Sequence, residues 1–283
     1  MAMMTAAMQR DVIAQQRRHW DAVADGWARW LAWTERNFAP VTEWLAATAW
    51  SPGADVLDVA CGAGYPALVA AARVAPGGRV TATDLSTEMV AVTASQANAR
   101  GLRNVRVAPM DAGRLEFPEG SFDAVSNVYG VMFSPDPVEA MREAKRVLKP
   151  GGRTAVVVWD AFENNSFFSA ITDVARTVLR LTSPEPGTPG PFRFAPPGAL
   201  EQALRQAGFA RVQVEVVEST FECASADEYL QLFRDVAWRA RIDALPESEL
   251  TDFRNAVAEA TRPYSKNGRL HLTARSLCAA AIV

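Results

Sequence analysis

The chain has 283 residues, enough for one large domain or two small ones around a substantial core. Hydrophobic residues make up 49% and charged residues 22%, as in an ordinary globular protein, and the formal net charge is −3. That balance excludes a broad positive field for nucleic acid or an anionic membrane. The cysteines, Cys61, Cys223 and Cys278, match neither a zinc spacing nor a C-x-x-C redox pair, so reduced thiols in a cytoplasmic protein are expected. No apolar run approaches the ~20 residues of a membrane span, and Met1 to Arg10 lack the apolar stretch of a secretory leader.

In chain order, residues 9–50 read as helical and hold six of the eight tryptophans. Trp20 and Trp27 are seven apart and share a helix face. Ser51-Pro52-Gly53 ends this arm. Residues 55–60 read as a strand, followed by a helix over 65–75 that Pro76-Gly77-Gly78 stops. A second strand spans 79–83; Ser86 then caps a helix that runs to about Arg100 and ends at Gly101. Strands follow at 105–108 and, after the turn Pro118-Glu119-Gly120-Ser121, at 122–127. A helix from about Val138 is expected to end at Lys149-Pro150-Gly151-Gly152, before a fifth strand over 154–159. This alternation predicts a doubly wound α/β unit, a parallel sheet with helices on both faces.

The cadence breaks at residue 160. Residues 161–182 and 226–262 read as extra helices, and 183–198 as a Pro/Gly-rich connection of the length usual for a lid or flexible segment. A helix over 199–207, a strand around 212–217 and a last strand over 270–283 complete the reading. The expected organisation is a helical arm over 1–50, a cofactor-binding core over 51–160, and 161–283 as the rest of the sheet. Cap insertions are expected at about 161–195 and 223–268. No linker separates these parts, so one compact unit is expected, with a homodimer left open.

Gly62-Ala63-Gly64-Tyr65-Pro66-Ala67 fits G-x-G-x-x-A, the turn that lets a backbone approach a nucleotide-like cofactor. Asp84, twenty residues after Gly64 at the end of the second strand, sits where a ribose diol would be held. A nicotinamide dinucleotide also fits this pattern. Asp58, four residues before Gly62, argues against it. A carboxylate inside the first strand would repel a pyrophosphate and attract a cationic ligand.

With these residues the chain resembles the class I S-adenosylmethionine-dependent methyltransferases. The nearest branch holds quinone-biosynthesis C-methyltransferases and many small-molecule O- and N-methyltransferases. Val56-Leu57-Asp58-Val59-Ala60-Cys61-Gly62-Ala63-Gly64 resembles the first family motif, with Ala60 where glycine is commoner. Residues 83–89, 111–123 and 146–152 resemble three further motifs in the same register. The resemblance implies a seven-stranded, mostly parallel Rossmann-like sheet with an antiparallel last strand. It implies S-adenosylmethionine as cofactor, with S-adenosylhomocysteine as product. Gly62 and Gly64, beside Ala60, would pass under the methionine and ribose, and Asp84 would take the ribose hydroxyls. Leu85 and Met89 would lie by the adenine, Asp111 would accept from its amino group with Ala112 alongside, and Asn127 would contact the methionyl part. Residues 19–27 resemble an arm that folds over the cofactor, with Trp27 where the family usually has tyrosine.

Methyl transfer needs alignment first and a general base only if the acceptor loses a proton. The candidates for contact with an acceptor are His19, in the arm, and Tyr129, just after the fourth strand; His271 falls in the last strand, a structural place. Ser126-Asn127-Val128-Tyr129 lacks the N-P-P-Y pattern of enzymes that methylate base amines, and no His/Cys/carboxylate cluster suggests a catalytic metal. The expected function is therefore transfer of a methyl group to oxygen, carbon or nitrogen of a small molecule, of natural-product or quinone type. The competing readings are an NAD-dependent oxidoreductase and a non-catalytic S-adenosylmethionine-binding protein.

Overall fold

The computed structural model describes residues 5–182 and 187–283. The central strand, β1 (Asp55–Val59), is buried from Val56 to Val59 on both faces, which is why four consecutive residues there include three aliphatic ones. Val56 points to a layer built from Val41, Leu45, Ala67 and Ala71, and Leu57 to the opposite layer with Met141, Leu200 and Leu204. Each layer faces helices.

Three helices precede β1: α1 (Ala6–Arg29), α2 (Leu31–Asn37) and α3 (Ala39–Thr48). The arm is thus three rods rather than one, turned at Trp30 and at Phe38. After β1 come α4 (Ala67–Arg73), β2 (Arg79–Asp84), α5 (Thr87–Ala99), β3 (Val105–Pro109) and β4 (Phe122–Val128). Ser86 caps α5 as expected, its hydroxyl accepting the Met89 N–H at 3.1 Å. Then follow α6 (Pro137–Val147) and β5 (Leu148–Trp159). Asp136 caps α6 through the Glu139 N–H, and Pro137 fills its first turn, where no N–H is needed. β5 begins at Leu148, six residues before the expected start, because Leu148 already pairs with Phe122 of β4 across an irregular register.

The remaining elements are α7 (Ser166–Val178), α8 (Ala199–Gln206), β6 (Arg211–Cys223), α9 (Ala226–Phe233), α10 (Arg239–Ile242), α11 (Glu247–Thr261), the two-residue β7 (Ser265–Lys266) and β8 (Arg269–Ile282). A π-turn over Arg234–Trp238 and the Leu245-Pro246 step divide what the sequence presents as one helical stretch. Of the expected 183–198 connection, residues 183–186 lie outside the described residues. The part from 187 on forms turns, held where Gly190 N–H meets the Met132 carbonyl and where the Arg193 guanidinium bonds the Ser134 carbonyl.

The strands run in the order β3-β2-β1-β4-β5-β8-β6, with β7 added to β8. The first five pair in parallel, and β8 is antiparallel to both β5 and β6. The Rossmann-like sheet with a reversed last strand is therefore as expected, with the short β7 as an addition. Strand order reverses between β1 and β4, so a crevice opens at their carboxyl ends, where such sheets bind ligands.

Candidate functional site

The carboxyl ends of β1, β2, β3 and β4 bring Ala60, Gly62, Asp84, Asp111 and Asn127 to one rim of the sheet. Gly62 has φ +54°, and a Cβ built on it would meet nothing within 4 Å, so the turn presents bare backbone to open space. Its N–H donates to Asp84 Oδ2 at 2.9 Å. The other carboxylate oxygen of Asp84 accepts the Ser86 N–H, also at 2.9 Å. Burial raises the Asp84 pKa, and the Ser86 and Gly62 N–H groups oppose the rise. Each oxygen keeps a lone pair for a further donor.

Asp58 is wholly buried. Its Oδ1 accepts the Ser126 hydroxyl at 2.6 Å, from the residue directly beside it in the β1–β4 register. Its Oδ2 is closed off from solvent, and the Ala67 backbone N–H favours its charged form. Burial pushes the Asp58 pKa up to about 7, and the neighbouring Asp84 charge adds to the rise. A buried carboxylate is costly unless donors or a cation reach it.

The turn is tightly fitted from below. Gly64 packs on Leu68, and Ala60, at φ +61°, lies so near Gly130 that a Cβ on the latter would come within 2.4 Å of the Ala60 Cβ. Asn127 Oδ1 accepts the Val131 N–H at 2.7 Å and so fixes the chain after β4. Asp111 Oδ1 accepts the Gly113 N–H at 2.9 Å, an Asx turn, and Ala112 packs beside it at the edge of the core.

Helix α1 lies across this rim. Val23 and Ala24 pack with Ala63 and Met89, flanked by Trp20 and Trp27. Asp21 accepts the Ser86 hydroxyl at 2.5 Å, and Arg17 Nε donates to the Leu85 carbonyl at 3.2 Å. Trp27 turns its indole N–H away from the rim, to the Val236 carbonyl at 3.2 Å. Trp30 and Arg29 bond the buried Asp235 carboxylate at 3.0 and 2.5 Å. The arm therefore ties the glycine turn to the cap.

Of the two candidate acceptor contacts, His19 is exposed on α1, edge-on to Trp20. Tyr129 is inside: its ring stacks on Trp159 at 4.1 Å, and its hydroxyl bonds Ser276 Oγ at 2.7 Å. Burial pushes its pKa well above the ordinary phenol value. Around this pair stand Phe38, Phe168 and Phe192. The structure thus separates an acidic, backbone-lined half from an aromatic half.

Sequence reasoning missed Ser126, Asp21, Gly130 and Asp235. Ser126 was legible once β1 and β4 are known to be neighbours. The other three act across 65 residues or more, or through a backbone approach, and carry no local signal.

A family model described as a methyltransferase domain matches residues 57–156. Nocamycin O-methyltransferase of Saccharothrix syringae is 37% identical over 173 residues, 57% of this chain and 61% of that protein. A demethylmenaquinone methyltransferase of Listeria welshimeri is 38% identical over 105 residues, 37% of this chain and 44% of that protein. The matches thus take in less than two thirds of these two relatives. A demethylmenaquinone methyltransferase of Thermus thermophilus is 35% identical over 164 residues, 55% of this chain and 74% of that protein. Among solved structures, the cyclase SpnF aligns with a TM-score of 0.54 at 26% identity, over 85% of this chain and 79% of that one. A SAM dependent methyltransferase from Aquifex aeolicus aligns with a TM-score of 0.50 at 25% identity, over 66% of this chain and 86% of that one.

Proposed function

Because the chain belongs to the class I S-adenosylmethionine-dependent methyltransferases, we propose that it transfers a methyl group from S-adenosylmethionine to a small, largely apolar acceptor. The observation that carries this reading is the bare Gly62 turn braced by Asp84, with the Asp58 carboxylate buried behind it. Carboxylates so placed favour a cation at the turn and disfavour a phosphate. S-adenosylmethionine supplies a sulfonium-bound methyl group and carries an ammonium and no phosphate.

In this reading Asp58 meets the positive charge, Gly62 and Gly64 form the floor, with Ala60 setting the turn, and Asp84 takes the ribose hydroxyls. Leu85 and Met89 line the adenine, Asp111 and the Ala112 backbone meet its edge, and Asn127 shapes the methionyl end. Trp27 serves from the second layer, by holding α1 to the cap. The acceptor occupies the aromatic half, near Tyr129, Trp159 and Phe168. Such a wall suits an aromatic or polyketide-like molecule. Two of the relatives above are named for nocamycin and demethylmenaquinone, both small molecules.

Catalysis by positioning fits this site, since aligning and desiccating two reactants can supply roughly 7–11 kcal/mol. Tyr129 acts as a positioning surface, because its hydroxyl is engaged and its proton tightly held. His19, on the arm beside Trp20 and with its pKa lowered by burial, would serve only acceptors that must lose a proton. A cytoplasmic location suits the three buried free thiols.

The test offers S-adenosylmethionine with a labelled methyl group and a panel of phenols, enols, quinols and amines. Label recovered in an acceptor supports the proposal. Because the cyclase SpnF shares the fold, fold alone does not set the reaction. Tight cofactor binding with no label transferred to any acceptor would favour a non-methylating role.

A further inference from the structure

β6 forms one edge of the sheet, paired only with β8. The register is unbroken from Arg211 to Cys223, so side chains and backbone groups alternate without a bulge along its whole length. At Glu222 both outward backbone groups are capped by the arm: the N–H donates to Asn37 Oδ1 at 2.7 Å, and the carbonyl accepts from Trp33 Nε1 at 2.8 Å. Even-numbered residues of β6 therefore direct their N–H and C=O groups away from β8. The Ala210 carbonyl, at the start of the edge, accepts from Arg205. Between these two caps, the outward groups of Val212, Val214, Val216 and Glu218 have no backbone or side-chain hydrogen-bond partner among the described residues.

The side chains on this stretch are unusual for an open edge. Val214 is 38% exposed and Val216 49%, two of the few large apolar side chains on the surface. They lie on one face with Val212, while Arg211, Gln213 and Glu215 lie on the other. The segment from 211 to 218 contains no proline and no lysine, the usual guards of an exposed edge. Among the described residues neither Arg211 nor Glu215 has an ion-pair partner within the chain.

We propose that this edge pairs antiparallel with the same edge of a second copy of the chain, with Val214 on the two-fold axis. In that register Val214 faces its own copy and Val212 faces Val216 of the other copy. All three are outward-directed residues, which yields about six main-chain hydrogen bonds. The valines form one continuous apolar stripe across the joined sheets. On the opposite face Gln213 lies against Glu215 of the other copy, and Arg211 reaches that same Glu215 diagonally, on both sides of the axis. Shifting the register to place Glu215 on the axis would set two like charges face to face, so the charges choose among registers. The crevice at β1 and β4 lies several strands away and stays open.

The test is sedimentation velocity of the full chain across the micromolar range. The proposal predicts a concentration-dependent shift from 30.7 kDa towards twice that mass. Val214→Lys should remain a monomer with an unchanged circular dichroism melt, since the site is on the surface. Val214→Cys should cross-link to a covalent dimer under mild oxidation, because the native thiols are buried. Glu218→Cys should not cross-link, since the two copies would be roughly 27 Å apart along the strands. A wild-type monomer at every concentration overturns the proposal. So does a dimer that survives Val214→Lys, or one that cross-links equally through Glu218→Cys.

Discussion

Asp84 Oδ2 accepts the Gly62 N–H at 2.9 Å, so the carboxylate that ends β2 braces the turn that ends β1. The same side chain holds Ser86, whose hydroxyl meets Asp21 of the arm. One carboxylate thereby links the turn, the start of α5 and helix α1. Asp84→Ala leaves two N–H groups without their acceptor, each a loss of roughly 1–3 kcal/mol. Titration calorimetry should show S-adenosylhomocysteine affinity reduced about 100-fold or more, from the lost bonds and the lost ribose contact together. An unchanged affinity would remove Asp84 from the site.

Asp58 titrates near 7 in the folded chain and near 3.8 as a free side chain. Between those values the folded state holds the extra proton, so the stability of the ligand-free protein falls as pH rises through that window. A cationic ligand reverses the preference and expels the proton. Affinity for S-adenosylmethionine should therefore climb from pH 5 to about 7 and level off above it. Asp58→Asn should flatten this profile; a profile that persists in the variant would contradict the assignment.

Tyr129→Phe removes only the bond to Ser276, at a cost of about 1 kcal/mol. Methyl-transfer kcat should stay within a few-fold of wild type while the melting temperature drops. A collapse of kcat with an unchanged KM and an unchanged melt would make the hydroxyl catalytic instead.

Asp235 joins the arm to the cap. Burial alone would raise its pKa, but the hydrogen bonds from Trp30, Gln231 and Arg29 outweigh that and hold it below the ordinary value. Its stabilising effect is present above pH 4 and is lost as pH falls through the depressed value. Asp235→Ala should cost about 2 kcal/mol, less than a fully buried pair because Arg29 is half-exposed and regains water. Urea denaturation measures this, and Trp30 should become accessible to quenchers.

The sheet was legible because its central strands, β1, β4 and the second half of β5, are buried on both faces and the strands are punctuated by glycine or proline. Val56 to Val59 and the breaks at Pro76-Gly77-Gly78 needed no partner to be read. What the sequence hid were features set by distant partners. β6 runs to Cys223 rather than 217 because β8 extends beyond β5 and continues the pairing. The arm turns at Trp30 without glycine or proline, and at Phe38 just ahead of Pro40; the turns carry Trp30 to Asp235 and Phe38 into the aromatic cluster. At the rim, Asp58, Gly62, Gly64 and Asp84 were singled out by spacing, and Asp111 by the family resemblance. The arm's latch on Ser86, the close approach of Gly130 to Ala60 and the engagement of the Tyr129 hydroxyl required the packed molecule.

The most direct measurement is calorimetric titration of the purified chain, stripped of bound small molecules, with S-adenosylhomocysteine and separately with NADH. Saturable micromolar binding of the first and none of the second is the predicted result. Binding of NADH with indifference to S-adenosylhomocysteine would contradict the assignment of Asp58 and Gly62 to a cationic methyl donor.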